Sequence, residues 1–347
     1  MEFSIKNIEE ARSRIKDYII ETPLLRLEAL DKYLGCQVYV KLENMQKIGA
    51  FKFRGAMNKI QSLTDEELAK GIVAASSGNH GKAIAYGAKM KGTKATIIMP
   101  RTAPAMKIEA IKALGAEVIL CDAEERFEVA AKVCEETGGT MVPPYDDYEV
   151  MTGQGTLGLE IMEQCPDVDV VVVPASGGGL IGGVATALKG VAATRSAVAS
   201  QGVAAAAQSQ AASQGVTATP LKVYGAEPSV LPRYSESIKF GEPTTVPMPE
   251  QKSVADALVS NRPGLKCFPV VCDHVDGFAA VDDIYMLKAM KMLLMEGKIL
   301  AEPSSCIGMG AVLQGKIAVK QEEKVCFVIS GGNLGFEQLE LLGGVEY

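Results

Sequence analysis

Short apolar runs bounded by glycine or charged residues alternate with helix-like segments over most of the chain. The clearest run, Val170–Val173, consists of consecutive valines and predicts a strand buried on both faces of a sheet. The predicted strands are Gln37–Lys41, Gly71–Ala75, Ala95–Met99, Glu117–Cys121, Asp169–Val173, Lys222–Gly225 and Lys324–Ile329. The predicted helices are Lys82–Met90, Ala105–Leu114, Arg126–Glu136, Asp283–Glu296 and Ile307–Gln314. This alternation predicts an α/β architecture, with twisted and mostly parallel sheets flanked by helices.

Length and charge favour an enzyme over a nucleic-acid or membrane protein. The 347 residues are enough for two domains of roughly 150 residues each. The formal net charge is −7 at pH 7, which disfavours binding to nucleic acid or to an anionic membrane. The N-terminal residues include no apolar segment typical of a signal peptide. We therefore expect a cytoplasmic protein whose 8 cysteines are reduced thiols.

One segment, residues 190–221, departs from the alternating pattern. Its composition narrows to small and polar residues, and Arg195 is its only charged side chain. The sequence of Ala199–Val203 is repeated at Ala212–Val216. Because the segment has no apolar stripe and is too short for a repeat fold, we predict a low-complexity surface loop inserted at 190–221.

A lysine among apolar neighbours lies in the first of three candidate motifs, Gly49–Ala56. Lys52 is flanked there by Phe51 and Phe53. An apolar setting destabilises the ammonium form, lowers the pKa and makes the amine nucleophilic, as a Schiff-base lysine requires. An exposed lysine that lays its alkyl chain on apolar neighbours is the more common explanation of these eight residues alone.

The second motif is a polar turn between a predicted strand and a predicted helix. It places Ser76, Ser77, Asn79 and His80 beside two glycines. Backbone amides at the start of a helix form a cradle for a carboxylate or phosphate. An ordinary strand-to-helix turn has a similar composition, but four converging polar side chains favour a binding site.

The third motif is the glycine-rich segment Ser176–Gly183, which follows the valine strand. It opens with Ser176, Gly177, Gly178, Gly179 and Leu180, and glycine lets backbone amides approach a phosphate closely. Its glycine spacing also fits a dinucleotide fingerprint, which needs an acidic residue about 20 positions later. No Asp or Glu occurs between Asp169 and Glu227, so an NAD-binding dehydrogenase remains only an alternative.

Metal ligation and hydrolytic triads find little support in the sequence. Cys267, Cys272 and His274 lie close together, but the apolar run Cys267–Cys272 is better explained as a buried strand with incidental cysteines. The chain has 2 histidines and no G-x-S-x-G nucleophile elbow. We therefore predict no metal site.

Together these motifs resemble one family, the pyridoxal-phosphate (PLP) enzymes of the tryptophan-synthase-β fold (fold type II), and within it the serine/threonine dehydratases and serine racemases. The resemblance covers nearly the whole chain outside residues 190–221. It also includes Thr22-Pro23-Leu24, Lys41-Leu42-Glu43-Asn44, Gly153-Gln154-Gly155-Thr156, Gly225-Ala226-Glu227-Pro228, Glu302-Pro303-Ser304 and Ser330-Gly331-Gly332-Asn333.

The resemblance implies a role for each candidate residue. Lys52 would form the Schiff base and take the Cα proton, and Ser77 would be a second acid or base on the opposite face. The turn residues Ser76, Ser77, Asn79 and His80 would bind the substrate carboxylate. The cofactor would contact Phe51, Asn79 at the ring hydroxyl, Ser330 at the pyridine nitrogen, and Ser176–Leu180 at the phosphate. Arg126 would lie near the substrate side chain, or it is simply an exposed arginine at a helix start.

The resemblance further implies a small domain, residues 48–147, inserted into a large PLP-binding domain, residues 1–47 and 148–347. A homodimer is usual for the family. Racemases of this kind hold a cation near the residue matched by Glu227, but Arg233 stands where they have an aspartate, so metal binding is not expected and Arg233 would pair with Glu227. The expected activity is elimination of the β-hydroxyl of L-threonine or L-serine. Serine racemase and 3-hydroxyaspartate dehydratase are the alternatives with the same cofactor.

Overall fold

The computed structural model describes residues 3–76, 78–200 and 220–347. Its strands, in chain order, are β1 Leu24–Arg26, β2 Gln37–Leu42, β3 Ile72–Ala75, β4 Ala95–Pro100, β5 Glu117–Cys121, β6 Thr140–Met141, β7 Val170–Pro174, β8 Lys222–Pro228, β9 Gly277–Val281 and β10 Lys324–Ile329. Its α-helices are α1 Ile5–Ile15, α2 Asp31–Leu34, α3 Lys52–Ser62, α4 Asp65–Lys70, α5 Asn79–Lys91, α6 Ala105–Ala113, α7 Arg126–Thr137, α8 Tyr148–Gln164, α9 Gly179–Ser200, α10 Arg233–Phe240, α11 Cys267–His274, α12 Asp283–Met295, α13 Ile307–Leu313 and α14 Phe336–Glu340.

The described strands form two sheets. The larger has six strands in the order β1-β2-β10-β7-β8-β9, and the smaller has four in the order β5-β4-β3-β6. All pairings are parallel except that of β1 with β2. Helices with buried apolar faces pack on both sheets, so the α/β fold with mostly parallel sheets is confirmed. That residues 48–147 form a separate domain stays a prediction.

The β-branched and helical patterns locate most elements closely. Each of the seven strands predicted from the alternating pattern coincides with an observed one, and the valine run is β7, whose residues are all buried. The predicted helices coincide with α5, α6, α7, α12 and α13. The strands β1, β6 and β9 were not predicted. The first two are only 3 and 2 residues long, and β9 includes glycine and alanine rather than a β-branched run.

One prediction about an individual segment was wrong, and a second was wrong in its first part. Cys267–Cys272, predicted as a buried strand, belongs to helix α11. A short apolar run does not distinguish a strand from a buried helix, and the Asp146 carboxylate accepts hydrogen bonds from amides that open α11. The loop predicted at 190–221 is helical as far as Ser200, since alanine favours helix. Residues 201–219 lie outside the described ones.

Close packing of α8 against α9 positions the glycine-rich motif at the start of α9. A Cβ added at Gly155 would lie 2.9 Å from the carbonyl oxygen of Gly183. One added at Gly183 would overlap the carbonyl oxygen of Met151. The two helix backbones therefore come into direct contact at these glycines, which positions α9 against α8. None of the described helices is both long and apolar enough to cross a membrane.

Candidate active site

Lys52 and Ser330 are held side by side although they come from opposite ends of the chain. Ala50 forms an isolated antiparallel bridge with Gly331, and the Phe51 amide donates to the Ser330 carbonyl oxygen at 3.0 Å. Lys52 is the first residue of α3, and Ser330 directly follows β10. The start of α3 is therefore held at the carboxyl end of the six-stranded sheet. Ligand sites of open parallel sheets lie at this end.

The Lys52 side chain is half-buried between two neighbours. Its ammonium group donates to the Pro144 carbonyl oxygen at 2.7 Å and lies 5.1 Å from the centre of the Phe51 ring. Desolvation lowers the pKa of Lys52 to about 8, and the attractions of Cys267 and Glu302 oppose it only in part. About a tenth of the amine is therefore free at pH 7, against well under 1% for an ordinary lysine, so Lys52 has the chemistry of a nucleophile and base.

The glycine-rich loop follows β7 and opens α9 with a shape that only glycine permits. Gly178 has a φ of +105°, in the region L side chains avoid. A Cβ at Gly177 would overlap the Tyr145 ring, and one at Gly178 would overlap the Tyr234 hydroxyl. The first amides of α9 have no acceptor within the helix. This cradle of close backbone at a helix N-terminus fits a phosphate group.

Asn79, at the start of α5, contacts a buried carboxylate. Its Nδ2 lies 3.2 Å from both carboxylate oxygens of Glu302, and its Oδ1 accepts from Asn333 Nδ2 at 2.8 Å. Desolvation raises the pKa of Glu302 to about 7, while the Asn79 hydrogen bond opposes the shift. Glu302 was not among the predicted site residues. The Glu302-Pro303-Ser304 motif was the signal that could have found it.

Ser330 is buried and presents a neutral hydroxyl. Its Oγ lies 3.0 Å from the Oγ of Ser305, which also donates to the Gly331 carbonyl oxygen and accepts from the Gly331 amide, both at 2.8 Å. Ser305 was missed by the sequence analysis because no local pattern links it to Ser330. Its bonds fix the backbone and the hydroxyl at the end of β10 together.

The other residues predicted to bind the substrate each have a different hydrogen-bond partner or environment. The Ser76 hydroxyl accepts from the Gly78 amide at 3.3 Å, which closes the turn before α5. His80 is buried with Nε2 2.8 Å from the Val142 carbonyl oxygen, and burial lowers its pKa to about 3, so the ring is neutral. Ser77, predicted as the second acid or base, lies outside the described residues.

Arg126 is separate from the other predicted site residues in the contacts of the described chain. Its guanidinium donates to the Ala123 carbonyl oxygen at 3.1 Å and lies 4.9 Å from the centre of the Phe127 ring. Both partners belong to the segment around the start of α7. These contacts match those of an arginine at a helix start.

The segment Pro144–Asp146 connects the lysine to the glycine-rich loop. Pro144 accepts from Lys52, and the Tyr145 ring covers Gly177. The Tyr145 hydroxyl lies 3.2 Å from the Ser260 Oγ, and the Ser260 amide donates to Ser176 Oγ at 3.4 Å. The role of Tyr145 was not predicted, because it depends on the contact between segments that are distant in sequence.

The ion pair expected between Arg233 and Glu227 was wrong. The Glu227 carboxylate accepts from the amides of Tyr234 and Ser235, each at 2.8 Å, and from the Ser235 hydroxyl at 2.7 Å. The Arg233 guanidinium donates instead to the carbonyl oxygens of Ala175 at 3.2 Å and Leu258 at 3.0 Å. The carboxylate is taken up by the first turn of α10, which leaves backbone oxygens as partners of the arginine.

Many known proteins are similar to this chain in sequence or in structure. L-Threonine ammonia-lyase of Thermotoga maritima is 38% identical over 339 residues, which cover 97% of this chain and 77% of that protein. L-threo-3-Hydroxyaspartate ammonia-lyase of Saccharomyces cerevisiae is 35% identical, over 98% of this chain and 96% of that protein. The structure of maize serine racemase superimposes with a TM-score of 0.85 at 36% identity, and covers 97% of this chain and 96% of that one.

A family model described as pyridoxal-phosphate dependent enzyme matches residues 15–331, which include both sheets and every site residue predicted from the sequence. The chain's own geometry fits that cofactor, since a lysine of lowered pKa and a glycine-only cradle at a helix N-terminus suit an aldehyde and a phosphate. The alternative of an NAD-binding dehydrogenase, which the glycine spacing had left open, is thereby set aside. By this family match and by the close relatives at full length, the chain belongs to the pyridoxal-phosphate dependent enzymes.

Proposed function

We propose that this enzyme is an ammonia-lyase that eliminates the β-hydroxyl of L-serine or L-threonine and yields a 2-oxo acid and ammonia. The observation that carries the proposal is the hydrogen bond between Phe51 and Ser330, which brings a lysine of lowered pKa beside a neutral hydroxyl. The similarity to L-threonine ammonia-lyase over 97% of the chain supports the same activity.

In this proposal Lys52, Ser330 and the glycine-rich loop would hold the cofactor. Lys52 would bind it covalently, and Phe51 would pack near its ring. Asn79 would face the ring hydroxyl, Ser330 would face the pyridine nitrogen, and the amides of residues 176–180 would bind the phosphate. When bound, PLP supplies an electron sink for the charge left at Cα after a proton is removed.

Lys52 performs the proton transfer. After the substrate amine displaces it, its free amine takes the proton from Cα, for which a pKa of about 8 is well matched near neutral pH. The Cα–H bond and then the Cβ–O bond break, and the departing hydroxyl takes up the proton that Lys52 removed from Cα, so that it leaves as water. The remaining enamine is hydrolysed to the 2-oxo acid and ammonia.

Ser330 favours elimination over reactions that need a long-lived carbanion. Its hydroxyl is neutral and donates or accepts a hydrogen bond with Ser305, so it provides no carboxylate to hold a proton on a pyridine nitrogen. An unprotonated ring withdraws electrons less strongly. The charge formed at Cα is then relieved by rapid loss of the β-hydroxyl.

The substrate carboxylate is assigned to the turn from Ser76 to His80. This turn opens α5, whose first amides and positive dipole end attract an anion. Ser76 and Asn79 add side-chain polar groups, and His80 supports the turn from beneath through Val142. Ser77 remains proposed as a second acid or base.

Serine racemase and 3-hydroxyaspartate dehydratase remain second candidates because the chain is similar to proteins with both names. A racemase needs a second acid or base on the face opposite Lys52, the role proposed for Ser77. A hydroxyaspartate dehydratase needs a cation for the second carboxylate. The local contacts of Arg126 favour the hydroxy-amino acids with an uncharged side chain.

We also propose a small domain at 48–147, a homodimer, and a cytoplasmic location. The four strands of the smaller sheet all lie between Ile72 and Met141, which supports the domain. Free thiols at all the cysteines support a reducing compartment. Besides PLP and a second copy of the chain, the proposed partner is a small hydroxy-amino acid, and neither nucleic acid nor membrane is proposed.

The test is to incubate the holoenzyme with L-serine in the presence of a chelator and to quantify pyruvate and D-serine. Pyruvate without D-serine is the expected result. Substantial D-serine would make the enzyme a racemase. With L-threonine, 2-oxobutyrate is the expected product. Turnover of 3-hydroxyaspartate alone would select the third activity, and the Lys52→Ala variant is the blank.

A further inference from the structure

Arg233 is a fully buried arginine that donates to no carboxylate among the described residues, although the nearby Glu227 carboxylate attracts it electrostatically. It opens α10, and its guanidinium donates to two backbone carbonyl oxygens, of Ala175 at 3.2 Å and of Leu258 at 3.0 Å. Its Nε has no hydrogen-bond partner in the described chain. Burial lowers the pKa of Arg233 only to about 10, so the group is charged at neutral pH. Burying such a charge is costly, which calls for a reason.

The position of the two carbonyl groups gives that reason. Ala175 is the last residue before the glycine-rich loop, and its own amide is fixed to the Ala226 carbonyl oxygen at 2.8 Å. The next residue of α10, Tyr234, donates from its hydroxyl to the Gly177 carbonyl oxygen at 3.2 Å. Adjacent residues of α10 therefore hold alternate carbonyl groups of the loop, those of Ala175 and Gly177.

Holding a carbonyl group also sets the direction of the next amide. The described peptide bonds are all trans, so each carbonyl oxygen points opposite to the N–H of the same peptide group. With the oxygens of Ala175 and Gly177 turned toward α10, the N–H groups of Ser176 and Gly178 are turned away from it. Two donors thus face the same side of the loop, and the guanidinium charge lies behind them.

We propose that Arg233 is a positioning residue for the cofactor phosphate: it orients the amides of the glycine-rich loop and adds positive charge behind them. This inference rests on the proposed role of residues 176–180 in binding the phosphate. Arg233 touches neither the reacting atoms nor the substrate in this proposal. Its effect is therefore on cofactor affinity, and specifically on the part of that affinity that the phosphate supplies.

The experiment measures the dissociation constants of PLP and of pyridoxal, which has no phosphate, by absorbance titration of the apoenzyme. For Arg233→Gln we expect PLP binding to weaken about 10- to 100-fold, as for loss of charged hydrogen bonds, with pyridoxal binding unchanged. The matched control is Arg195→Gln, because Arg195 also donates to two carbonyl oxygens, of Pro166 and Met162, but away from the loop. The phosphorus-31 resonance of bound PLP should shift in Arg233→Gln and not in the control.

Two further measurements separate orientation from folding. Tyr234→Phe loses only the hydroxyl bond to Gly177, and we expect PLP binding to weaken about 3- to 10-fold with pyridoxal unchanged. In Arg233→Ala, millimolar guanidinium should restore PLP affinity, whereas urea, which is neutral and of similar shape, should not. These two variants keep the inference testable if Arg233→Gln fails to fold.

An unchanged PLP constant in Arg233→Gln would overturn the inference, and so would equal weakening of PLP and pyridoxal, since that indicates a general structural role. If the wild-type protein binds PLP and pyridoxal equally well, the loop does not bind the phosphate and the proposed cofactor site itself fails. That outcome is visible in the wild type alone and is distinct from a failure confined to Arg233.

Discussion

The side-chain amide of Asn79 donates to the buried carboxylate of Glu302, with Nδ2 3.2 Å from each oxygen. Because Asn79 Oδ1 also accepts from Asn333, the orientation of this amide is set from both sides. Asn79 begins α5, which packs on the four-stranded sheet. Glu302 lies between α12 and α13, which pack on the six-stranded sheet. The protonation state of Glu302 therefore affects a contact between the parts of the chain that contain the two sheets.

The first prediction concerns stability and pH. The folded-state pKa of Glu302, about 7, is above its unfolded value, so the unfolded chain loses this proton at lower pH. The contribution to the free energy of unfolding is then full below about pH 4.5 and declines as the pH rises to about 7, by at most about 3 kcal/mol. Denaturant unfolding of the apoenzyme should show this decline in the wild type and a smaller one in Glu302→Gln. Parallel curves for the two proteins would contradict it.

The second prediction concerns the essential amine. Lys52→Ala should remove the visible absorbance of bound cofactor and lower kcat by at least about 10³-fold, since it removes both the attachment point and the base. The control is Lys59→Ala on the same helix, which loses only an ion pair with Asp147. Retention of colour and turnover in Lys52→Ala would show that another group performs the chemistry.

The third prediction concerns the reactivity of Lys52 in the apoenzyme. Because its pKa is about 8, the rate of covalent attachment of PLP should rise about tenfold per pH unit below that value and level off above it. Stopped-flow absorbance measures this rate directly. A rate that continues to rise toward about pH 10 would indicate an ordinary, solvated lysine.

The fourth prediction concerns the shape of the glycine-rich loop. Gly178→Ala places a Cβ against the Tyr234 hydroxyl at a φ of +105°, so we expect a loss of about 1–3 kcal/mol in the free energy of unfolding, together with weaker PLP binding. Gly182→Ala is the matched control, because its nearest contact would be an ordinary 3.5 Å. Equal stability of the two variants, by urea denaturation, would argue against a strained loop.

The fold was predictable where local sequence alone determines it. Buried parallel strands such as β7 are short runs of mostly β-branched residues between turn signals, and their positions were found within a few residues. The strand β9 and helix α11 were missed or misassigned because their residues suit either conformation. Tertiary contacts decide which of the two conformations these segments adopt.

The residues of the candidate site likewise divide into those that local sequence indicates and those that it does not. Lys52, Asn79 and the glycine-rich loop occur in contiguous motifs whose chemistry is visible in the sequence. Ser305 and Tyr145 act through contacts with segments distant in the chain, so no local pattern indicates them. The Arg233 prediction failed for a related reason: the competing partners of Glu227 are backbone amides, which the sequence does not display.

The bridge between Ala50 and Gly331 has a mechanical consequence. Helix α3 buries Phe53 and Met57 in the core beside the four-stranded sheet, yet its first residue is tied to the end of β10 in the six-stranded one. A rocking motion of one sheet against the other would pivot at this tie. In such a motion Lys52 and Ser330 would stay together, because the bridge joins the residues directly beside them.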